Sequence, residues 1–202
     1  MARRSEADVR EAIISAASAE FLTAGFAAAS VGHIARSAGV STKTIYRFYE
    51  TKTDLLAEVI SSFMAMMLPG LDSYVVEKPE DLAPTLTRLL TQLAGYGLSG
   101  PGLAAGRLAM TEMMRVPEMV AAYYREGHEK IIVAVGRWLA RQVEAGRLRL
   151  AAPEQAAAML LSMVFADLTR RAMVAGEPPS EAEIANWIGA GVEIFLKGAE
   201  AP

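Results

Sequence analysis

Ser30-Val31-Gly32-His33-Ile34-Ala35-Arg36-Ser37-Ala38-Gly39-Val40-Ser41-Thr42-Lys43-Thr44-Ile45-Tyr46-Arg47 is the stretch that decides the fold. Ser30 is an N-cap residue type and predicts a short helix over 31–37. Gly39 follows as a turn residue. Ser41 predicts a second short helix over 42–46 or a little beyond. Val31, Ile34, Ala35, Val40 and Ile45 form an apolar seam that holds the two helices at a fixed angle. Ser37-Ala38-Gly39-Val40 is small enough for tight chain reversal. Together these features read as a helix-turn-helix unit, whose second helix lies in the DNA major groove. That helix carries Thr42, Lys43, Thr44, Tyr46 and Arg47, more donors than so short a helix needs for its own stability.

Working outward, Val9, Ile13, Ala16, Ala17 and Phe21 recur at steps of three or four and predict a helix over 5–24. Ser5 with Asp8 supplies its N-cap, and Gly25 supplies its stop. Thr51 with Asp54 opens a further helix over 52–68, ended by Pro69-Gly70. Lys52 sits in its first turn, where a phosphate would meet both an ammonium and backbone N–H groups. Beyond that, helices are expected over 79–96, 101–115, 117–146, 153–175 and 180–198. Gly127 and Gly136 lie inside the third of these, and Ser180 with Glu183 forms a capping box for the last. No run alternates like a strand, so the expected fold class is all-α. It comprises an N-terminal three-helix bundle with the helix-turn-helix and a larger C-terminal helical domain. The expected division is 1–51 for the head, 52–68 for a connecting helix and 69–202 for the body.

Composition removes most other function classes. The 202 residues are 52% hydrophobic and 21% charged, which supports a sizeable core and not a disordered chain. Cysteine is absent, so disulfides, thiol catalysis and thiolate metal sites are excluded. His33 and His128 are the only histidines, too few for a multi-histidine metal centre. No metal or other cofactor is expected. The net charge of −3 excludes a uniformly basic coat. Residues 1–52 nevertheless hold seven Lys/Arg against five Asp/Glu, and the remainder thirteen against eighteen. A mildly basic head on an acidic body suits an anionic partner, and chance placement gives the same asymmetry. No apolar run is long enough to span a membrane, and nothing resembles a secretion signal, so a cytoplasmic protein is expected.

Gly25-Phe26, Ser30-Val31, Ile34-Ala35, Ala38-Gly39-Val40-Ser41, Thr44-Ile45-Tyr46 and Lys52 with Leu55 resemble the N-terminal signature of the TetR family of transcriptional regulators. The match covers about residues 9–56. The resemblance implies an all-helical homodimer that binds double-stranded DNA through its head and a small molecule through its body. Such proteins usually repress, and the small molecule releases them from DNA. The resemblance puts Ser30 on the phosphate backbone. It gives Thr42, Lys43 and Thr44 to base edges or nearby phosphates, and Tyr46 and Lys52 to phosphate. Many members have glycine where this chain has Lys43, and Tyr-x-His-Phe where it has Tyr46-Arg47-Phe48-Tyr49. Lys43 and Arg47 are therefore the expected specificity-setters. Arg3 and Arg4 read either as an arm toward the minor groove or backbone, or as an idle basic terminus.

In the body the resemblance is one of layout. It gives the last two helices to the dimer interface, for which the stripes Leu160, Val164, Leu168 and Ile184, Trp187, Ile188, Gly191, Val192, Phe195 are the candidates. The same stripes would serve equally to face the protein's own core. Tyr96, Glu112, Met113, Met114, Trp138 and Phe165 are the candidates for an effector pocket. Its methionine-rich, weakly polar surroundings suit a small hydrophobic effector, and also an ordinary core. No catalytic constellation is present, so an enzyme is not expected. A helical small-molecule carrier and an effector-independent DNA-binding protein remain the alternatives.

Overall fold

A computed structural model describes residues 4–68, 70–112 and 117–199, and the regular elements among them are all helices. Helix α1, Glu6–Ala24, begins where the Ser5 hydroxyl accepts the Asp8 N–H across 3.1 Å and Asp8 Oδ2 accepts the Ser5 N–H across 3.0 Å. It ends at Gly25, whose φ of 79° is a conformation other residues rarely adopt. Helix α2, Val31–Ala38, is capped by Ser30 and ends at Gly39 with φ 67° in the left-handed region. Helix α3, Thr42–Phe48, is capped by Ser41, and α4, Lys52–Met67, follows Thr51. Thr51 and Asp54 exchange two bonds at that start, Asp54 Oδ2 accepting the Thr51 N–H and Thr51 Oγ1 the Asp54 N–H.

Pro79 opens a tight 3₁₀ turn, Pro79–Asp81, and α5, Leu82–Gly97, continues from it. Helix α6 is Gly100–Glu112. The long helix expected from Pro117 is α7, Pro117–Tyr123, then a π turn at Tyr124–His128, then α8, Glu129–Glu144. Gly127 lies within the π turn, and a Cβ there would stand 3.5 Å from the Ile60 side chain. Helices α9, Pro153–Ala175, and α10, Glu181–Ala199, complete the chain, the second behind the Ser180–Glu183 box.

The chain divides into two compact units, residues 1–66 with 104–128, and 67–103 with 129–202. A single cut near the connecting helix does not describe this division. In the first unit Ile13, Ala17, Phe21, Ile34, Ala35, Ala38, Ile45, Leu55 and Leu56 are buried together, and Val120 and Tyr123 of α7 pack against the same cluster. Those contacts group the distant segment with the head. Burying each such large aliphatic side chain contributes about 1.5–3 kcal/mol.

In the second unit α8 packs on α9, and α10 packs on α9 and α5. Two glycines set the spacing. A Cβ on Gly136 would lie 2.9 Å from Glu154 Cα, and one on Gly191 would lie 2.6 Å from Val164 Cγ2. Trp187 alone of the expected dimer stripe is exposed in one protomer. Leu160, Val164, Leu168, Ile188, Gly191 and Val192 are buried inside this unit, and Ile184 and Phe195 are half-buried. The buried ones form the seam between α9, α10 and their neighbours in one protomer. Both helices carry exposed apolar residues. Met159 and Met163 with Ala166 are exposed on α9, and Trp187 and Ile194 with Ala190 on α10.

Candidate nucleic-acid interface

The head presents α3 as a thin polar ridge on an apolar support. Ile45 is 1% exposed and anchors the helix, whereas Tyr46 is 53% exposed. Thr42, Lys43 and Arg47 are exposed beside it, and Thr44 is half-buried. The alternation follows from a seven-residue helix with one inward face. Lys43 makes no ion pair among the described residues. Arg47 places its guanidinium carbon 4.7 Å from the centre of the Phe48 ring, and Arg10 of α1 lies 4.8 Å from the same ring. Phe48 therefore orients Arg47 while leaving its charge outward.

Thr44 is partly committed to the helix start. Its N–H donates to Ser41 Oγ at 3.0 Å, and its hydroxyl pairs with the same oxygen at 2.8 Å. Ser41 thus fixes the first turn of α3, and Thr42 and Lys43 project from that turn.

Ser30 stands exposed at the start of α2. Its hydroxyl oxygen accepts the His33 N–H, and its own N–H donates to Glu20 Oε1 at 3.0 Å. The second oxygen of Glu20 bonds His33 Nδ1. The backbone N–H of Ser30 and the His33 ring hold the Glu20 carboxyl below the ordinary glutamate range. The sequence did not single out Glu20, because a carboxylate near the end of α1 looks like any surface residue. Only the fold brings it onto α2.

Lys52 and Arg4 both bond to backbone carbonyls of the head. The Lys52 ammonium donates to the carbonyl oxygens of Phe26 at 2.7 Å, Ala27 at 3.1 Å and Ala29 at 3.2 Å, and lies 4.7 Å from the centre of the Phe26 ring. An ammonium has three protons, and all three go to the loop between α1 and α2. Lys52 ties that loop to α4. Arg4 Nη1 donates to the Ala38 carbonyl at 3.1 Å, so this arginine is docked on the last turn of α2. Arg3 lies outside the described residues.

Of the pocket candidates, the side chains of Tyr96, Trp138 and Phe165 are described. Trp138 is fully buried, and its indole N–H donates to the Tyr74 carbonyl at 2.7 Å, so it is a core residue. Tyr96 and Phe165 are half-buried, on α5 and α9. Glu112 is the last residue of α6, and Met113 and Met114 lie outside the described residues. Sequence reasoning missed a cleft of about 400 Å³ lined by Tyr74, Val75, Val76, Arg141, Gln142 and Arg147. Gln142 orders one wall, donating to the Trp138 carbonyl and accepting from Arg147 Nη1 at 3.1 Å. The segment carrying Tyr74 lies between helices and has no periodic pattern that a sequence reading could use.

A family model described as "Bacterial regulatory proteins, tetR family" matches residues 13–59. Another, described as "AefR-like transcriptional repressor, C-terminal domain", matches residues 84–198. Among solved structures, a protein from Mesorhizobium loti assigned to the TetR family is 25% identical with a TM-score of 0.84, covering 98% of this chain and 100% of its own. The flavonoid-responsive regulator FrrA is 26% identical with a TM-score of 0.75, covering 95% and 97%. A TetR-family regulator from Pseudomonas syringae pv. tomato shares the fold at 24% identity and a TM-score of 0.72, covering 96% and 97%. No curated protein matches the chain.

Proposed function

We propose a function from one premise: the chain belongs to the TetR family of bacterial transcriptional regulators. It is a sequence-specific regulator that binds double-stranded DNA as a homodimer. The observation that carries this reading is α3, sealed to the core by Ile45 while Thr42, Lys43, Tyr46 and Arg47 stay exposed. Lys43 and Arg47 read base edges or adjacent phosphates, and Ser30 and Tyr46 position the head on the backbone. Thr44 serves mainly through the Ser41 cap.

The finer reading is a repressor released from a palindromic operator by a small, largely apolar effector. The description of the C-terminal family model supports repression, and the name of the regulator FrrA supports ligand response in this fold. Tyr96, Phe165, Glu112, Met113 and Met114 are the candidates for effector contact. The cleft at Tyr74 adds arginine and glutamine donors for an effector that carries acceptor groups. Release requires that the effector prefer a state in which the two α3 helices no longer match successive major grooves, about 34–36 Å apart. The second copy docks on the exposed face formed by Met159, Met163, Trp187 and Ile194. No helix among the described residues is long and apolar enough to cross a membrane, and a cytoplasmic location accords with the reading.

The test is fluorescence anisotropy of the full chain on its own upstream intergenic DNA, across a salt series, with selection from genomic fragments if that DNA is not bound. Selective binding that weakens steeply with salt is expected, with loss in Lys43→Ala and weakening in Tyr46→Phe. Failure to select any fragment would overturn the DNA-binding reading in favour of a helical carrier.

A further inference from the structure

We infer that His33 is a proton-dependent phosphate contact, and that Glu20 is the positioning residue that makes it so. This rests on the DNA-binding reading of the head. The side chain of Glu20 is 11% exposed and that of His33 is 55% exposed. Glu20 reaches from α1 to the start of α2 and uses both oxygens there, one on the Ser30 N–H and one on His33 Nδ1. An ionised carboxylate only accepts, so the hydrogen on His33 sits on Nδ1. That leaves Nε2 as the outer nitrogen. In the neutral ring Nε2 is an acceptor and has nothing to offer a phosphate. In the protonated ring it becomes a donor, and a charged one.

Charge acts in the same direction. With a neutral imidazole the Glu20–His33 pair carries one negative charge beside Ser30, at the edge that meets the DNA backbone. With a protonated imidazole the pair is neutral. Protonation therefore removes a repulsion and adds a donor at one place. Arg36 is the other charged group near the pair on α2. On α3, Lys43 and Arg47 are exposed and form no ion pair with either residue among the described residues. The remaining histidine, His128, lies in the π turn, where burial lowers its pKa. DNA affinity is thus higher when His33 is protonated than when it is neutral.

The experiment measures the affinity of the full chain for its selected operator at pH 8.0 and pH 6.0, each across a salt series. Wild type is expected to bind about tenfold tighter at the lower pH. Its slope of log affinity against log salt should steepen by about 1.8, the value of one added phosphate contact from each of two protomers. His33→Gln should bind at both pH values with the shallower slope. His33→Arg carries a fixed charge and should show the steeper slope even at pH 8.0. Glu20→Gln keeps an acceptor for Ser30 but removes the charge, and should bind tighter than wild type at pH 8.0. His128→Asn should retain the full pH response. Operator binding by wild type with no change of slope between the two pH values would overturn the inference and leave the regulator reading standing. So would a slope change that persists in His33→Gln. Absence of selective DNA binding at either pH would overturn the regulator reading itself, and the inference with it.

Discussion

Lys52 Nζ lies 2.7 Å from the carbonyl oxygen of Phe26, joining the first turn of α4 to the loop that precedes α2. Two further carbonyls share the same ammonium, and the Phe26 ring packs beneath it. Lys52→Met keeps the stem and removes all three bonds. It should lower stability by about 1–2 kcal/mol, because hydrogen bonds to a charged group are lost while the carbonyls partly regain water. A lysine that contacted phosphate in both protomers would instead flatten the salt dependence of DNA binding by about 1.8. Urea unfolding and a salt series on the same variant check both points. Reduced stability with an unchanged slope is expected.

Gly136 and Gly95 make a matched pair. A Cβ on Gly136 meets the backbone of Glu154 at 2.9 Å, whereas one on Gly95 meets nothing within 4 Å. Gly136→Ala must push α8 from α9 and should cost about 1–3 kcal/mol. Gly95→Ala, near the end of α5, should stabilise by about 0.5–1 kcal/mol through helix propensity. Thermal melts of the two variants should move in opposite directions.

The exposed face of α9 and α10 predicts how assembly fails. Met159→Glu with Ile194→Glu puts two carboxylates on a face whose apolar residues are 63% exposed at both positions. Each protomer should keep its fold, since neither side chain fills the core. Sedimentation should report a monomer, and operator affinity should fall at least a hundredfold, because two half-sites no longer act together. By contrast, Leu160→Ala or Val164→Ala should unfold the protomer by about 2–5 kcal/mol or somewhat less, and should not selectively dissociate a dimer.

The bonds on Glu20 also predict acid behaviour. Its carboxyl is held low by the Ser30 N–H and by His33. The stability this gives is present above the ordinary glutamate pKa of about 4.3 and is lost as pH falls through the lowered value. The head should therefore lose stability in acid, and Glu20→Gln should lose less over the same interval. Circular dichroism melts from pH 6 to pH 3 measure this.

Local signals made most of the helix ends legible. Ser5 with Asp8, Ser30, Ser41, Thr51 with Asp54, and Ser180 with Glu183 stand where caps form, and Gly25 and Gly39 adopt the positive φ that their positions require. These features act within one helical turn, and a sequence displays them directly. The polar ridge of α3 was legible for the same reason. The Tyr74 cleft and the role of Glu20 were not, because each depends on segments ten or more residues apart in the chain meeting in space.

The sequence by itself determined that this chain is all-helical, that its head carries a helix-turn-helix, and which residues of α3 are polar. Periodicity and capping settle those matters over a few residues. The tertiary structure decided which side of each amphipathic helix faces inward. It turned Leu160, Val164 and Ile188 to the core of one protomer and left Met159 and Ile194 outside. It also gave the Lys52 ammonium to three loop carbonyls. An apolar stripe wide enough to serve either a core or a partner does not say which it meets, and a lysine at a helix start does not say where its protons go. Packing against distant segments removes both ambiguities.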